Sequence, residues 1–425
     1  MLKRLAIFVA PLFLLPIILV GPGYAQADVS TSLTLTQAVQ TALSQNVGLA
    51  QAQNQVQAAT KVYNWQEQIT PSFVPSQNNP YVGQAPVQQE NLIASDYALQ
   101  DAWQLYNYDK NALVLATMTD YFAVQDGQQT VAVDTYDLSY QQANLKDVTA
   151  EVSVGTATQQ DLLAAQAAVK QAQTQLAAAQ SSLTNAYTAL DNDLGIDPNS
   201  KPDLTTYVQY QPDNTYAGLG ADSVVNMAVS ASPKIFADRS NLYIANQTWG
   251  WNTTPGLGAV QLLEAQNQLT SDTLSITQQA QQAYYALGSA EQAYETAQQN
   301  LEAANQALAN AKAALAAGTI TNTQYLQAVY QQAQAQLAVL NALQGASAGS
   351  GGASSSSGST SSSSGASDSG SASQGSSSSS AAGGGTGSSG VSLTGGGGSG
   401  YYLVRGELAL LTGVGSILPP NLNGQ

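Results

Sequence analysis

Residues 124–152 read VQDGQQT VAVDTYD LSYQQAN LKDVTAE V, set out in sevens so that Val124, Val131, Leu138, Leu145 and Val152 head the rows. Beyond Gly155 the same interval continues through Leu162, Val169, Leu176, Leu183 and Leu190. An apolar repeat of seven held this long predicts two antiparallel helices wound left-handedly around each other, reversing at Gly155. Ala165, Ala172, Ala179 and Ala186 each follow a large apolar residue by three places, so a small-residue layer alternates with it and the axes can come close. The figure returns as Leu287, Tyr294, Leu301, Leu308 and Leu315, with Ala290, Ala297, Ala304 and Ala311, before a second turn at Gly318. The chain reads as two copies of one hairpin.

Outward from the hairpins the duplication continues. The spacing of Val39, Leu43, Val47, Leu49, Val56 and Tyr63 predicts a helix over 34–63, ending at Tyr63-Asn64-Trp65. A second helical stretch over 222–249 ends at Trp249-Gly250-Trp251, and the offset of 186 between Trp65 and Trp251 also sets Ala42 on Ala228. The turns at Gly155 and Gly318 differ by only 163, and that shift sets Tyr121 on Tyr284. The second copy therefore lacks 23 residues between Trp251 and Tyr284, roughly the length of two membrane-crossing strands of about nine to eleven residues each.

In the first copy, Pro71, Pro75, Pro80 and Pro86 argue against helix. Ile69 to Val74 and Tyr97 to Tyr106 have strand-like composition, and Phe73, Tyr97, Trp103 and Tyr106 concentrate aromatics. Residues 69–106 are read as two strands at a membrane interface, the other reading being a soluble aromatic loop packed on the helices. The organisation is then a first repeat over 28–198 with its hairpin at about 112–194, a connector at 199–221, a second repeat at 222–344, a Ser/Gly tract at 345–400 and a C-terminal helix and tail at 401–425. The tract cannot bury enough apolar surface to offset its ordering entropy. Residues 385–390 match a dinucleotide-binding pattern formally, but without the strand and helix that give it meaning.

Composition narrows the chemistry. No Cys and no His occur, so nucleophilic triads that need histidine and the common zinc and copper ligand sets are unavailable. The expectation is no enzyme, no metal and no cofactor. With 11 Lys and Arg against 27 Asp and Glu, the net charge of −16 disfavours nucleic acid as a partner. Residues 1–27 read as a secretory signal peptide: Lys3 and Arg4, an apolar run from Leu5 to Val20, then Ala25-Gln26-Ala27. A retained membrane helix is the other reading, weakened by Pro11 and Pro16 in a short run.

With these residues assembled, the chain resembles the TolC-like outer membrane efflux protein family over 31–418. The opening from Leu33 to Asn46 is similar to that family's first helix, 154–162 to its first periplasmic tip, and 317–326 to its second. The resemblance implies a mainly α fold with a small β portion: long antiparallel coiled-coil hairpins in two internal repeats, three protomers closing a helical barrel below an outer-membrane β-barrel. It implies a passive exit duct engaged at its tips by a periplasmic adaptor and an inner-membrane transporter, in the outer membrane and periplasm of a Gram-negative-type bacterium. The tip residues to expect are Val154, Gly155, Thr156, Asp161, Leu162, Gly318, Thr319 and Gln324. The resemblance makes Asp161 a carboxylate at the aperture, where three copies form an acidic ring; a solvated helix-end aspartate is the alternative. Gly155 and Gly318 are turn glycines at a minimum. The missing strand hairpin leaves a second function open, a non-conducting periplasmic coiled-coil scaffold or tether.

Overall fold

The computed structural model describes residues 32–70, 85–197, 200–212, 215–216, 218–248, 257–345 and 400–419. Residues 1–27, read as a signal peptide, Phe73 and the body of the Ser/Gly tract lie outside the described residues. Strand β1 (Ser32–Leu33) leads into α1 (Leu35–Gln45), which Thr34 opens by a capping box: its side chain accepts from Gln37 N while the Gln37 side chain accepts from Thr34 N. At Asn46 the backbone becomes extended, and the Asn46 side chain accepts from Leu49 N to start α2 (Val47–Ile69). The single helix expected over 34–63 is therefore two helices, and the second runs on to Ile69. Their counterparts are α5 (Ala221–Ala231) and α6 (Pro233–Thr248), broken at Ser232 with φ −68° and ψ 120° against −67° and 120° at Asn46. Ser232 follows Asn46 by 186 residues, the offset read from the tryptophans. Pro233 favours the break, because proline suits the first turn of a helix and not its interior.

The strand reading of 69–106 fails over its second half. Helix α3 (Ala85–Ser153) is 69 residues long and includes Tyr97, Trp103 and Tyr106. Pro86 sits in its first turn, where a missing N–H costs nothing, and no proline follows within the helix. Ile69 closes α2, and the remainder of the first expected strand, 71–74, lies outside the described residues. At about 1.5 Å per residue α3 is roughly 100 Å long. It reverses into α4 (Gln159–Leu194), as α7 (Leu257–Ala316) reverses into α8 (Asn322–Gln344). Helix α9 (Tyr401–Thr412) follows the Ser/Gly tract. Together α8 and α9 hold 23 and 12 residues against 36 in α4, and both α4 and α9 end on a left-handed glycine, Gly195 and Gly413. Gly345 and Gly400 meet so closely that no side chain fits between them. The tract thus leaves and returns at one point, splitting what the first repeat builds as one helix.

Helices α4, α3, α8 and α7 pack side by side in that order. Asp147 and Thr323 join α3 to α8 near the tips, and Gln344 Nε2 donates to Gln125 Oε1 near the roots, so α3 and α8 run antiparallel and both tips share one end. Helices α1 and α2 pack on α3, α5 and α6 on α7, and α9 on α7, α5 and α3. The large apolar core sits at the roots, where Leu35, Met118, Tyr121, Phe122, Leu190, Leu194 and Tyr402 are almost fully enclosed. Toward the tips the buried residues of α4 are the alanines, Ala165, Ala172 and Ala179, while Leu162, Val169 and Leu176 stay half-buried. Small side chains set how near the axes come; the leucines fill the flanks.

The connector adds the one strand pairing among the described residues, β1 parallel to β2 (Asp203–Leu204). It is strapped down by buried polar groups. Tyr121 Oη donates to Leu33 O and accepts from Thr206 N, both at 3.0 Å, and Gln125 Nε2 donates to Thr206 O. Tyr284, the repeat mate of Tyr121, donates to Leu219 O, and Leu219 follows Leu33 by 186 residues. The duplication is preserved down to a single hydroxyl.

Candidate functional site

The shared tip end gathers most of the residues singled out from sequence. Helix α3 ends in a Schellman turn: Gly155 N donates to Val152 O at 3.1 Å and Thr156 N to Glu151 O at 2.9 Å. This requires φ +78° at Gly155, a left-handed backbone that glycine adopts without a Cβ penalty. At the second tip Gly318 N donates to Leu315 O at 3.0 Å and Thr319 N to Ala314 O at 2.9 Å, with φ +70° at Gly318. The threonine after each glycine also turns its hydroxyl back, Thr156 Oγ1 to Glu151 O and Thr319 Oγ1 to Ala314 O, each at 3.0 Å. The two tips are one design, built twice.

Each return helix then opens with a capping box. Thr158 N and Oγ1 donate to Asp161 Oδ2 at 2.9 and 2.7 Å, and Asp161 N donates back to Thr158 Oγ1 at 3.2 Å. Thr321 N donates to Gln324 Oε1 at 3.0 Å, and Gln324 N to Thr321 Oγ1 at 3.2 Å. Asp161 and Gln324 are thus equivalent capping partners, and the exchange of acid for amide leaves the geometry alone. The Thr158 hydroxyl, then its N–H, holds the exposed Asp161 carboxyl below the usual carboxylate range. The cap it makes is present above the unfolded carboxylate range and is lost as pH falls through the lowered value. Thr158→Ala is expected to speed amide hydrogen exchange at 159–162 and leave the first turn of α8 unchanged, read by mass spectrometry.

The surface around these turns is small and uncovered. Val154 is 74% exposed and Leu163 58%, while Leu162 is half-buried and Thr156, Asp161, Thr319 and Gln324 are exposed. Two residues that sequence reading passed over complete the site: Thr323 Oγ1 donates to Asp147 Oδ2 at 2.6 Å and ties the two tips together. They stand 176 residues apart, and no local pattern announces such a pair. The T-x-x-D and T-x-x-Q boxes at 158–161 and 321–324 were legible signals.

Of the aromatics expected at a membrane interface, Tyr97, Trp103 and Tyr106 stand on helix α3. Tyr97 packs between Phe236 and Tyr243 of α6 at ring distances of 6.3 and 5.5 Å, and Trp103, half exposed, meets Tyr106 edge-on at 6.0 Å. Among the described residues no helix is long and apolar enough to cross a membrane, and no group of three or more acidic residues could hold a metal ion.

Two repeats of long helical hairpins, packed in one row with both turns at one end, define the class of fold. It is the fold of the TolC-like outer membrane channels. The structure resembles the Campylobacter jejuni CmeC outer membrane channel with a TM-score of 0.56 at 13% identity, covering 72% of this chain and 82% of that one. It resembles the outer membrane protein VceC from Vibrio cholerae with a TM-score of 0.53 at 14% identity, covering 72% and 92%. The outer-membrane channel OprN gives 0.52 at 16% identity, covering 72% and 87%. The sequence matches no family model and no curated protein. At these identities the likeness is one of fold, carried by backbone arrangement.

Proposed function

We propose that the protein is the outer-membrane channel component of a tripartite efflux or type I secretion system. It acts as a passive exit duct, closed by three copies, docked at its tips by a periplasmic adaptor and through it by an inner-membrane transporter. The observation that carries this reading is the pair of tips, built alike, facing one way and joined by Asp147 and Thr323, in a fold shared with outer membrane channels. Docking falls to Val154, Gly155, Thr156, Leu162, Gly318, Thr319 and Gln324, where exposed small side chains suit the approach of another helical hairpin. Three copies of Asp161, ionised and uncovered, form an acidic ring at the aperture that favours cations. The row α4–α3–α8–α7 closes into a tube when α4 of one protomer lies beside α7 of the next. The leader sequence and the shared fold support a place in the outer membrane and periplasm.

A scaffold that does not conduct is favoured by one observation. Residues 85–106, the second half of the stretch read as membrane-crossing strands, are helical. Recordings of the purified mature protein in a planar lipid bilayer separate the two readings. A duct gives stable, repeated conductance steps. A heat-stable oligomer that inserts no conductance contradicts the duct and leaves the scaffold.

A further inference from the structure

We propose that the open flank of α7 over 260–285 is the seat for a second copy of this chain, whose α2 lies along it edge to edge. Away from the tips the helices stand in the order α2–α3–α6–α7, so α2 and α7 are the two edges of the row. Edge α7 carries an uncovered apolar stripe: Val260, Leu263, Leu274 and Tyr285 are each at least half exposed. Their spacings of 3, 11 and 11 residues are close to whole turns of about 3.6, which puts all four on one side of the helix. The positions between them on that side, Asn267, Thr270, Gln278 and Gln281, are exposed and uncharged. A contiguous apolar stripe of this kind marks a contact surface.

What fits there is built once inside the chain. Tyr97 of α3 stands 163 residues before Val260 and is its repeat mate. It packs between Phe236 and Tyr243 of α6, at ring distances of 6.3 and 5.5 Å. Helix α6 thus covers on α3 the side that α7 leaves bare. The repeat mate of α6 is α2, and the offset of 186 sets Phe236 and Tyr243 on Ala50 and Gln57, both exposed. The matching cover for α7 is therefore an α2, and the chain's own α2 stands at the far edge of its row, so the cover comes from another copy. Helix α2 has an apolar flank to spare: Leu49, Ala52 and Val56 are buried, while Val47, Val62, Trp65 and Ile69 stay exposed at spacings of 15, 3 and 4 residues, again close to whole turns. Unlike edges meet, so the contact is heterologous and builds a ring when its rotation closes. This rests on the duct reading, in which copies surround a space, and adds the side chains that join them away from the tips.

The chain contains no cysteine, so introduced thiols report alone. Asn54 is exposed on α2 midway between Ala50 and Gln57. Asn54→Cys and Val260→Cys combined in one chain, oxidised in the purified protein, should give a ladder of disulfide-linked oligomers on a non-reducing gel, while each single variant stays monomeric there. In the assembled particle, sized by light scattering, the Val260→Cys thiol should react with a bulky maleimide many-fold more slowly than a Val154→Cys thiol at the exposed tip, and as fast once denatured. Cross-linking by Val260→Cys alone would make the contact one of like with like. An oligomer that forms with no ladder and an open Val260→Cys thiol would keep the duct and remove this seam. A thiol open in solution and shielded only by vesicles of phosphatidylethanolamine and phosphatidylglycerol would give the stripe to a lipid surface. Any of these three results overturns the proposal. A monomer with both thiols open overturns the closed assembly itself, and the seam with it.

Discussion

Replacing Tyr121 by phenylalanine is expected to remove about 1–3 kcal/mol of stability, measured by chemical denaturation, although one oxygen atom is all that leaves the molecule. The ring is fully buried against Phe122 and its neighbours, and the phenylalanine fills the same space. What is lost is a hydroxyl that serves two backbone groups at once, the carbonyl of Leu33 and the N–H of Thr206. A buried backbone group left without a partner costs about 1–3 kcal/mol; the Thr206 N–H is left so, whereas Leu33 O keeps the Thr205 N–H at 3.1 Å. Tyr284→Phe is the internal comparison. Its hydroxyl serves Leu219 O alone from a half-buried position, so the loss there should be about 1 kcal/mol. Equal effects at the two sites would mean that the connector is not held through Tyr121.

Ala172→Leu is expected to destabilise the first hairpin by about 1–3 kcal/mol, more than Leu176→Ala does, reversing the usual order for alanine and leucine in a core. Ala172 is 1% exposed at the α3–α4 seam, with Ala165 and Ala179 one heptad to either side. An isobutyl group there must push the axes apart or leave its rotamer. Leu176 is half-buried at the edge of the same seam and gives up only part of its surface to water when truncated. Denaturation midpoints of the two variants decide the order. A milder effect at Ala172 would mean that the helices are spaced by their leucines.

The duplication was legible because periodic burial writes itself into periodic sequence. The offsets of 186 and 163 taken from Trp65, Trp251, Gly155 and Gly318 recur as helix breaks at Asn46 and Ser232 and as matched Schellman turns. The breaks themselves went unread, although Asn before Val47 and Ser-Pro at 232–233 are capping signals; the apolar stripe runs on across both sites and hides them. The strand reading of Tyr97 to Tyr106 misled for a different reason. Strand propensity reports how well a side chain fits a half-buried surface, and the flank of a long helix offers such a surface too. Tyr97 stacks against α6, while Leu99 and Tyr106 are half-buried on the same rod. The Asp147–Thr323 pair was beyond sequence reading, since it joins helices whose register is set by distant packing.

Hairpins in a row have a function as a duct only if copies of the row surround a space. Electron micrographs of the purified mature protein, averaged down the particle axis, measure that directly. A ring of three equivalent protomers around an open or irised centre is the predicted result. A single filled bundle of helices with no central space would contradict it, whatever channels the fold resembles.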